Sequence, residues 1–173
     1  MDESTDRLQH LNLLSATAAA QEFLKCCGSR GWAHRMADSR SYQNAKELLA
    51  TANQVWWSLD PQDWLEAFHS HPKIGEKKAA AATAVEAQQW SADEQSGIGG
   101  SAQRTLAELA ELNREYEKKF GYIFIVCATG KSSEEMLSIL RERLGNNPAE
   151  ELRIAAAEQA KITELRLKKL LAT

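Results

Sequence analysis

Apolar residues recur at helical spacing along most of the chain. The stretch "AKELLATANQVWWSL" (residues 45–59) places Leu48, Ala52 and Val55 three or four residues apart, and residues 101–119 carry a similar stripe of leucines. This repeat puts apolar side chains on one face of an α-helix. We therefore predict an amphipathic helix in each stretch.

Capping residues mark the ends of further helices. Ser15 is a suitable N-cap for "ATAAAQEFLKCC", and Gly28 is predicted to stop that helix. The stretch "SSEEMLSILRERL" predicts a helix that ends at Gly145, and Asn147 with Pro148 predicts the start of a long helix reaching about residue 171.

Only residues 122–128, "YIFIVCA" between Gly121 and Gly130, resemble a β-strand. No second run pairs with them, so we predict an extended segment rather than a sheet. Residues 31–39, "GWAHRMADS", are interpreted as a short piece between helices. The fold prediction is all-α: residues 1–173 form a single compact helical bundle of roughly seven to nine helices, with one extended segment near 122–128.

Bulk composition excludes several classes of protein. The 173 residues carry a net charge of −3 with 43% hydrophobic residues, which argues against a strongly basic nucleic-acid-binding face. The three cysteines are an odd number and favour a reducing setting. The acidic start "MDESTDRLQHLNLLS" resembles neither a signal nor a transit peptide, and no apolar run could span a membrane. We expect a cytoplasmic protein that binds neither nucleic acid nor membrane.

The densest cluster of candidate chemistry is "HSHPKIG", residues 69–75. The preceding helix begins at Asp60-Pro61 and must end before Pro72, because a residue that precedes proline disfavours the α conformation. His71 should therefore lie just past a helix end.

Metal binding is the first reading of this cluster. His69 and His71 could chelate zinc together, but a zinc site needs three or four ligands. His10 and His34 lie in unrelated segments, and the cysteines show no C-x-x-C spacing. We therefore predict no metal site. We also expect core packing rather than nucleophilic catalysis for the cysteines, since one of them lies inside the apolar run.

Acid/base chemistry suits His71 better, because a histidine titrates near neutral pH and Pro72 makes its turn rigid. The alternative is an ordinary histidine at a helix end. Glu94 could be its partner acid, or it could form a capping box with Ser91. The two residues of the acid/base pair would lie 23 positions apart, so the sequence leaves both readings open.

Two further features could contact a ligand. Arg166 lies between Ile162 and Leu170 at helical spacing, so it either extends its head to water or binds an anion in a pocket. Residues 124–128 have backbone groups without ladder partners. A bound planar amide could supply those partners, or nearby side chains could satisfy them.

Four segments taken together resemble a known family. They are "AFHSHPKIGE", "SADEQSGI", "LNREYEKKFGYIFIVCATGKSSEEMLSILRERLGN" and "EQAKITELRLKKL". In this order they are similar to the 2-oxo-4-hydroxy-4-carboxy-5-ureidoimidazoline (OHCU) decarboxylases, over about residues 8–171. The resemblance implies an all-α enzyme, a carboxy-lyase, usually a homodimer. It implies cofactor-independent and metal-free decarboxylation of this ureidoimidazoline to (S)-allantoin, the last step of urate degradation.

The resemblance also implies roles for individual residues. His71 corresponds to the catalytic histidine, Glu94 to its partner acid and Arg166 to a substrate-binding arginine. The implied substrate contacts are Pro72, Ser91, Ala92, Asp93, Glu94, Gln95, Phe124, Ile125, Val126, Cys127 and Ala128. His69 is outside the family pattern.

Two competing functions come from other classes. One is a zinc hydrolase built on His69 and His71. The other is a helical binding module whose interaction face is formed by Trp56, Trp57 and Trp64, although large aromatic residues at helical spacing usually pack into a core.

Overall fold

The computed structural model describes residues 3–72 and 103–173. Within these two ranges every regular element is an α-helix and no β-strand occurs, which confirms the all-α class. The helices are α1 Glu3–Leu13, α2 Ala16–Cys26, α3 Arg30–Asp38, α4 Ala45–Trp57, α5 Pro61–His69, α6 Gln103–Phe120, α7 Ser133–Leu144 and α8 Pro148–Ala172.

Helix α2 starts where its sequence predicts and ends just before Gly28. The Ser15 hydroxyl accepts a hydrogen bond from the Ala18 N–H at 3.2 Å, as an N-cap should. The helix ends at Cys26, and Cys27 is its C-cap in an extended conformation with φ −147°. Gly28 is therefore the first residue past the cap, the position at which a glycine commonly stops a helix.

Helix α3 replaces the connecting piece expected at residues 31–39, and that prediction was wrong. Ser29 caps the helix by accepting a hydrogen bond from the Trp32 N–H at 3.2 Å. The buried side chains of α3 recur at helical spacing and are Trp32, Ala33, Met36 and Ala37. A short helix of nine residues gives too few repeats for the pattern to be clear in sequence.

The other predicted boundaries agree with the structure. Helix α5 starts at Pro61 and ends at His69, and the His71 N–H then bonds the Phe68 carbonyl at 3.2 Å. His71 thus lies beyond the helix end, as predicted. Helix α7 ends before Gly145, which is its C-cap, and α8 begins at Pro148.

The chain divides into two compact units. The first comprises residues 1–67 and 160–173, and the second residues 68–159. In the first unit, Phe23 and Trp32 pack edge to face with ring centroids 5.9 Å apart. In the second, the Tyr116 ring packs against Tyr122 and Phe124 at 5.9 and 5.4 Å. A single domain over residues 1–173 remains a prediction.

None of the helices in the two described ranges is long and apolar enough to cross a membrane.

Candidate active site

His71 is held at the end of α5 by a buried amide. Its Nε2 lies 2.6 Å from Oε1 of Gln159 on α8, and Gln159 is completely buried. An amide oxygen can only accept, so Nε2 carries the proton in this contact. His71 itself is half-buried and directly precedes Pro72. The second unit therefore contains an oriented, half-buried imidazole.

The extended segment at residues 122–128 lies between two glycines in left-handed conformations. Gly121 has φ +83° and Gly130 has φ +76°. This is a region that residues with a Cβ atom rarely adopt, so both turns require glycine. All five residues of the predicted contact stretch 124–128 are buried. The segment is thus a buried connection between α6 and α7.

Side chains of the second unit bind the backbone of this segment. The Cys127 N–H donates to Oε2 of Glu158 at 2.8 Å. The Ile125 carbonyl accepts from Nη1 of Arg143 at 2.6 Å, and the Cys127 carbonyl accepts from Nζ of Lys131 at 2.8 Å. These contacts match the alternative in which nearby side chains satisfy the extended backbone.

A buried ion pair anchors the segment. Arg143 donates from Nε and Nη2 to Oε1 of Glu151, at 2.7 and 2.6 Å. The same carboxylate accepts from Tyr116 Oη at 2.5 Å and from Asn146 Nδ2 at 2.9 Å. Burial, and then the hydrogen bond to Glu151, raise the pKa of Tyr116 far above its usual range, so the phenol remains a donor. The guanidinium also lies 4.6 Å from the centre of the Phe124 ring.

Arg166 lies in the first unit and does not extend its head to water, because only 3% of its surface is exposed. Its charge acts on two neighbouring thiols, Cys26 and Cys27. Burial nevertheless dominates there: it raises the pKa of both thiols, that of Cys27 to about 11. All three cysteines are buried and unpaired by disulfides, as expected for core residues.

Several predicted residues cannot be placed in this site. Ser91, Ala92, Asp93, Glu94 and Gln95 lie outside the described residues, so their roles remain predictions. His69 is exposed on the last turn of α5. Across residues 3–72 and 103–173, no group of three or more His, Cys, Asp and Glu side chains is arranged to hold a metal ion.

Sequence reasoning missed the polar residues that support the site. These are Arg143 on α7 and Glu151, Glu158 and Gln159 on α8. A signal was present: Glu151 and Gln159 are eight residues apart on one helix, a spacing that keeps both side chains within one broad helix face. Polar side chains repeated at core spacing indicate buried partners.

The chain as a whole is similar to a known family of proteins. A family model described as OHCU decarboxylase matches residues 12–168. The uric acid degradation bifunctional protein TTL of Arabidopsis thaliana is 42% identical over 150 residues, which cover 86% of this chain and 46% of that protein. The chain therefore spans about half the length of this relative. The 2-oxo-4-hydroxy-4-carboxy-5-ureidoimidazoline decarboxylase of Amia calva is 30% identical over 132 residues, covering 76% of this chain and 75% of the relative.

Solved structures give the same result. A crystal structure of OHCU decarboxylase in the presence of (S)-allantoin superposes with a TM-score of 0.76 at 41% identity, covering 88% of this chain and 99% of that chain. A structure of (S)-allantoin synthase gives a TM-score of 0.70 at 16% identity, covering 94% of this chain and 53% of the other. The second match supports the fold alone.

Proposed function

The chain belongs to the OHCU decarboxylase family, and we propose from this membership that it converts 2-oxo-4-hydroxy-4-carboxy-5-ureidoimidazoline to (S)-allantoin in uric acid degradation. The Amia calva relative carries the name of this activity, and the similar crystal structure was obtained with (S)-allantoin. The reaction breaks one carbon–carbon bond, releases CO2 and places one proton on the product. Delivery of that proton to one face gives a single enantiomer.

The observation that carries the proposal is the environment of His71. This histidine lies between a helix end and Pro72, and Gln159 holds its Nε2 at 2.6 Å. An oriented imidazole is suited to moving a proton to and from substrate. We assign proton transfer to His71 and, on the family resemblance, the role of partner acid to Glu94.

Binding of the substrate is proposed to use Pro72, the stretch from Ser91 to Gln95, and the backbone of residues 124–128. Glu158 bears on the last of these contacts, because its carboxylate accepts the Cys127 N–H at 2.8 Å. A substrate amide that uses the same N–H must displace this carboxylate. Fixed backbone donors can stabilise the charge that develops as CO2 leaves.

Arg166 is proposed to bind the anionic substrate. Its planar guanidinium can pair with a carboxylate through two hydrogen bonds, which a lysine cannot reproduce. Its burial in the first unit supports a role other than solvation at the surface. The assignment to substrate rests on the family resemblance.

We also propose that the enzyme works without metal or organic cofactor, as a homodimer in the cytoplasm. Metal analysis of the active protein tests the first statement, and light scattering during gel filtration tests the second. Activity of the wild-type protein that depends on added zinc would contradict metal-free chemistry.

The test of the activity starts from urate. A urate oxidase and a hydroxyisourate hydrolase generate the unstable substrate, this protein is added, and circular dichroism follows optically active allantoin. We expect rapid formation of one enantiomer. A rate equal to the slow, racemic decay without protein would refute the proposed function.

A matched pair of variants tests the assignment of His71. His71→Asn should abolish stereoselective product, whereas His69→Ala, two residues away and exposed, should retain it. Both variants should keep the far-ultraviolet circular dichroism spectrum of the wild type.

Glu94→Gln separates capping from catalysis, because glutamine preserves a cap. Unchanged substrate affinity in Arg166→Lys would remove Arg166 from the site.

A further inference from the structure

We infer that Gln159 is a positioning residue that fixes the Nε2–H form of His71, so that the proton exchanged with substrate passes through Nδ1. This inference rests on the proposed function. It adds a residue outside the predicted site and chooses between the two ring nitrogens. The contact that carries it is the 2.6 Å separation between His71 Nε2 and Gln159 Oε1.

The burial of Gln159 makes the contact directional. Its side chain is completely shielded from solvent, so no water can take over the role of its acceptor oxygen from outside. A buried polar group left without a partner is destabilising. An imidazole that turned its unprotonated nitrogen toward Oε1 would place two acceptors against each other. The Nε2–H form is therefore the favoured neutral tautomer.

The backbone adds a second constraint on His71. Its N–H bonds the Phe68 carbonyl at 3.2 Å, so the main chain continues the turn of α5. Pro72 restricts the conformation on the other side. With the backbone fixed by these neighbours and the ring fixed through Nε2, the remaining nitrogen has a defined direction.

A neutral acceptor suits both halves of the proton cycle. The bond from Nε2–H to the amide oxygen persists whether Nδ1 is protonated or not. His71 can thus receive a proton at Nδ1, and give it to the ring carbon after the carbon–carbon bond to CO2 has broken and its electron pair has remained on the substrate. A carboxylate in place of the amide would favour the charged imidazolium and hold the proton on His71 more strongly.

Two substitutions separate the effect of the acceptor oxygen at position 159 from the effect of its neutral charge. Gln159→Met keeps a side chain of similar length without an acceptor. Gln159→Glu keeps an acceptor and adds charge. We expect Gln159→Met to lower kcat by about 10- to 100-fold with a smaller change in KM, since a misdirected ring forfeits part of acid/base catalysis. We expect Gln159→Glu to move the histidine-dependent limb of the kcat–pH profile to higher pH.

Nitrogen-15 NMR of histidine side chains reads the tautomer in the protein without substrate. The His71 signals, assigned by their loss in His71→Asn, should show a protonated Nε2 in the wild type and a mixture of tautomers in Gln159→Met. A wild-type Nδ1–H tautomer would overturn the inference. So would a pH profile of Gln159→Glu that coincides with that of the wild type.

The two proposals fail in different ways. If the wild type shows no decarboxylase activity while NMR shows the Nε2–H tautomer, the proposed function fails and the Gln159 contact stands. If the wild type is active and Gln159→Met retains its full kcat, the function stands and Gln159 is a core residue only. Equal melting temperatures in the three proteins exclude unfolding as the cause of lost activity.

Discussion

Replacing Arg143 by methionine should destabilise the second unit severely. The substitution removes two hydrogen bonds to Glu151 and one to the Ile125 carbonyl. Glu151 is completely buried, so among the described residues its charge would keep only the Tyr116 hydroxyl and Asn146 as side-chain partners. Removing one partner of a buried ion pair costs about 3–5 kcal/mol. Because two partners of Glu151 remain, we expect a loss of about 3 kcal/mol from the pair itself.

The Ile125 carbonyl adds to this loss. A buried acceptor left unpaired costs roughly 1–3 kcal/mol, although water that enters the vacated space can satisfy it in part. The total expected for Arg143→Met is thus about 4 kcal/mol. In a chain of this size each kcal/mol lowers Tm by roughly 2–4 °C, which gives a decrease of about 8–16 °C.

Arg141 provides the matched control on the same helix. It pairs with Glu108 at the surface, where the two side chains are 56% and 40% exposed. Exposed ion pairs contribute about 0–1 kcal/mol, so Arg141→Met should shift stability by no more than that. Urea unfolding followed by circular dichroism gives both free energies, provided the m-values agree. A difference between the two variants below about 1 kcal/mol would refute the reasoning from burial.

Three further predictions concern single contacts. Gly121→Ala should lose roughly 1–2 kcal/mol of stability, because φ is +83° at this position. An added Cβ would meet no atom within 4 Å, so the loss would come from backbone strain and not from a clash. An unchanged midpoint of urea unfolding would contradict this explanation. Tyr122→Phe should lose no stability, since the Tyr122 hydroxyl has no hydrogen-bond partner in the part of the chain that the structure describes. Tyr116→Phe should lose about 1.5–3 kcal/mol, because it removes the hydrogen bond to Glu151. Equal losses for the two variants by calorimetry would be inconsistent with these contacts. The hydrogen bond from Arg30 lowers the pKa of Glu66, so its contribution is present above the ordinary pKa of glutamate and is lost as pH falls through the lowered value. The stability of the wild type relative to Glu66→Gln should accordingly decrease in acid, and a difference that is constant from pH 7 to about pH 3 would show that Glu66 is not linked to folding in this way.

Helix boundaries were predictable where one residue determines the backbone locally. Pro61 and Pro148 each start a helix because proline suits the first turn, and Ser15 supplies a hydroxyl to a helix N-terminus. Gly28 likewise indicated the end of α2, because it directly follows the C-cap residue Cys27.

The site was predictable only in part, for the same reason. The position of His71 beyond α5 follows from Pro72, its neighbour in sequence. Its partner Gln159 is 88 residues away, and no local pattern links the two. Likewise, the lack of ladder partners for the backbone of residues 124–128 indicated a need for other partners, but the identities of Arg143 and Glu158 depend on how α7 and α8 pack.

The adjacency of Glu158 and Gln159 restricts how this gene can tolerate insertions and deletions. Consecutive side chains on a helix point about 100° apart, and here each reaches a different element: one the Cys127 N–H and the other His71. A substitution at either position removes one contact. A single codon inserted between Pro148 and Glu158 would rotate both side chains together and remove both contacts at once. We therefore expect a smaller fraction of active clones among in-frame insertions in this part of α8 than among substitutions at Glu158 alone or at Gln159 alone.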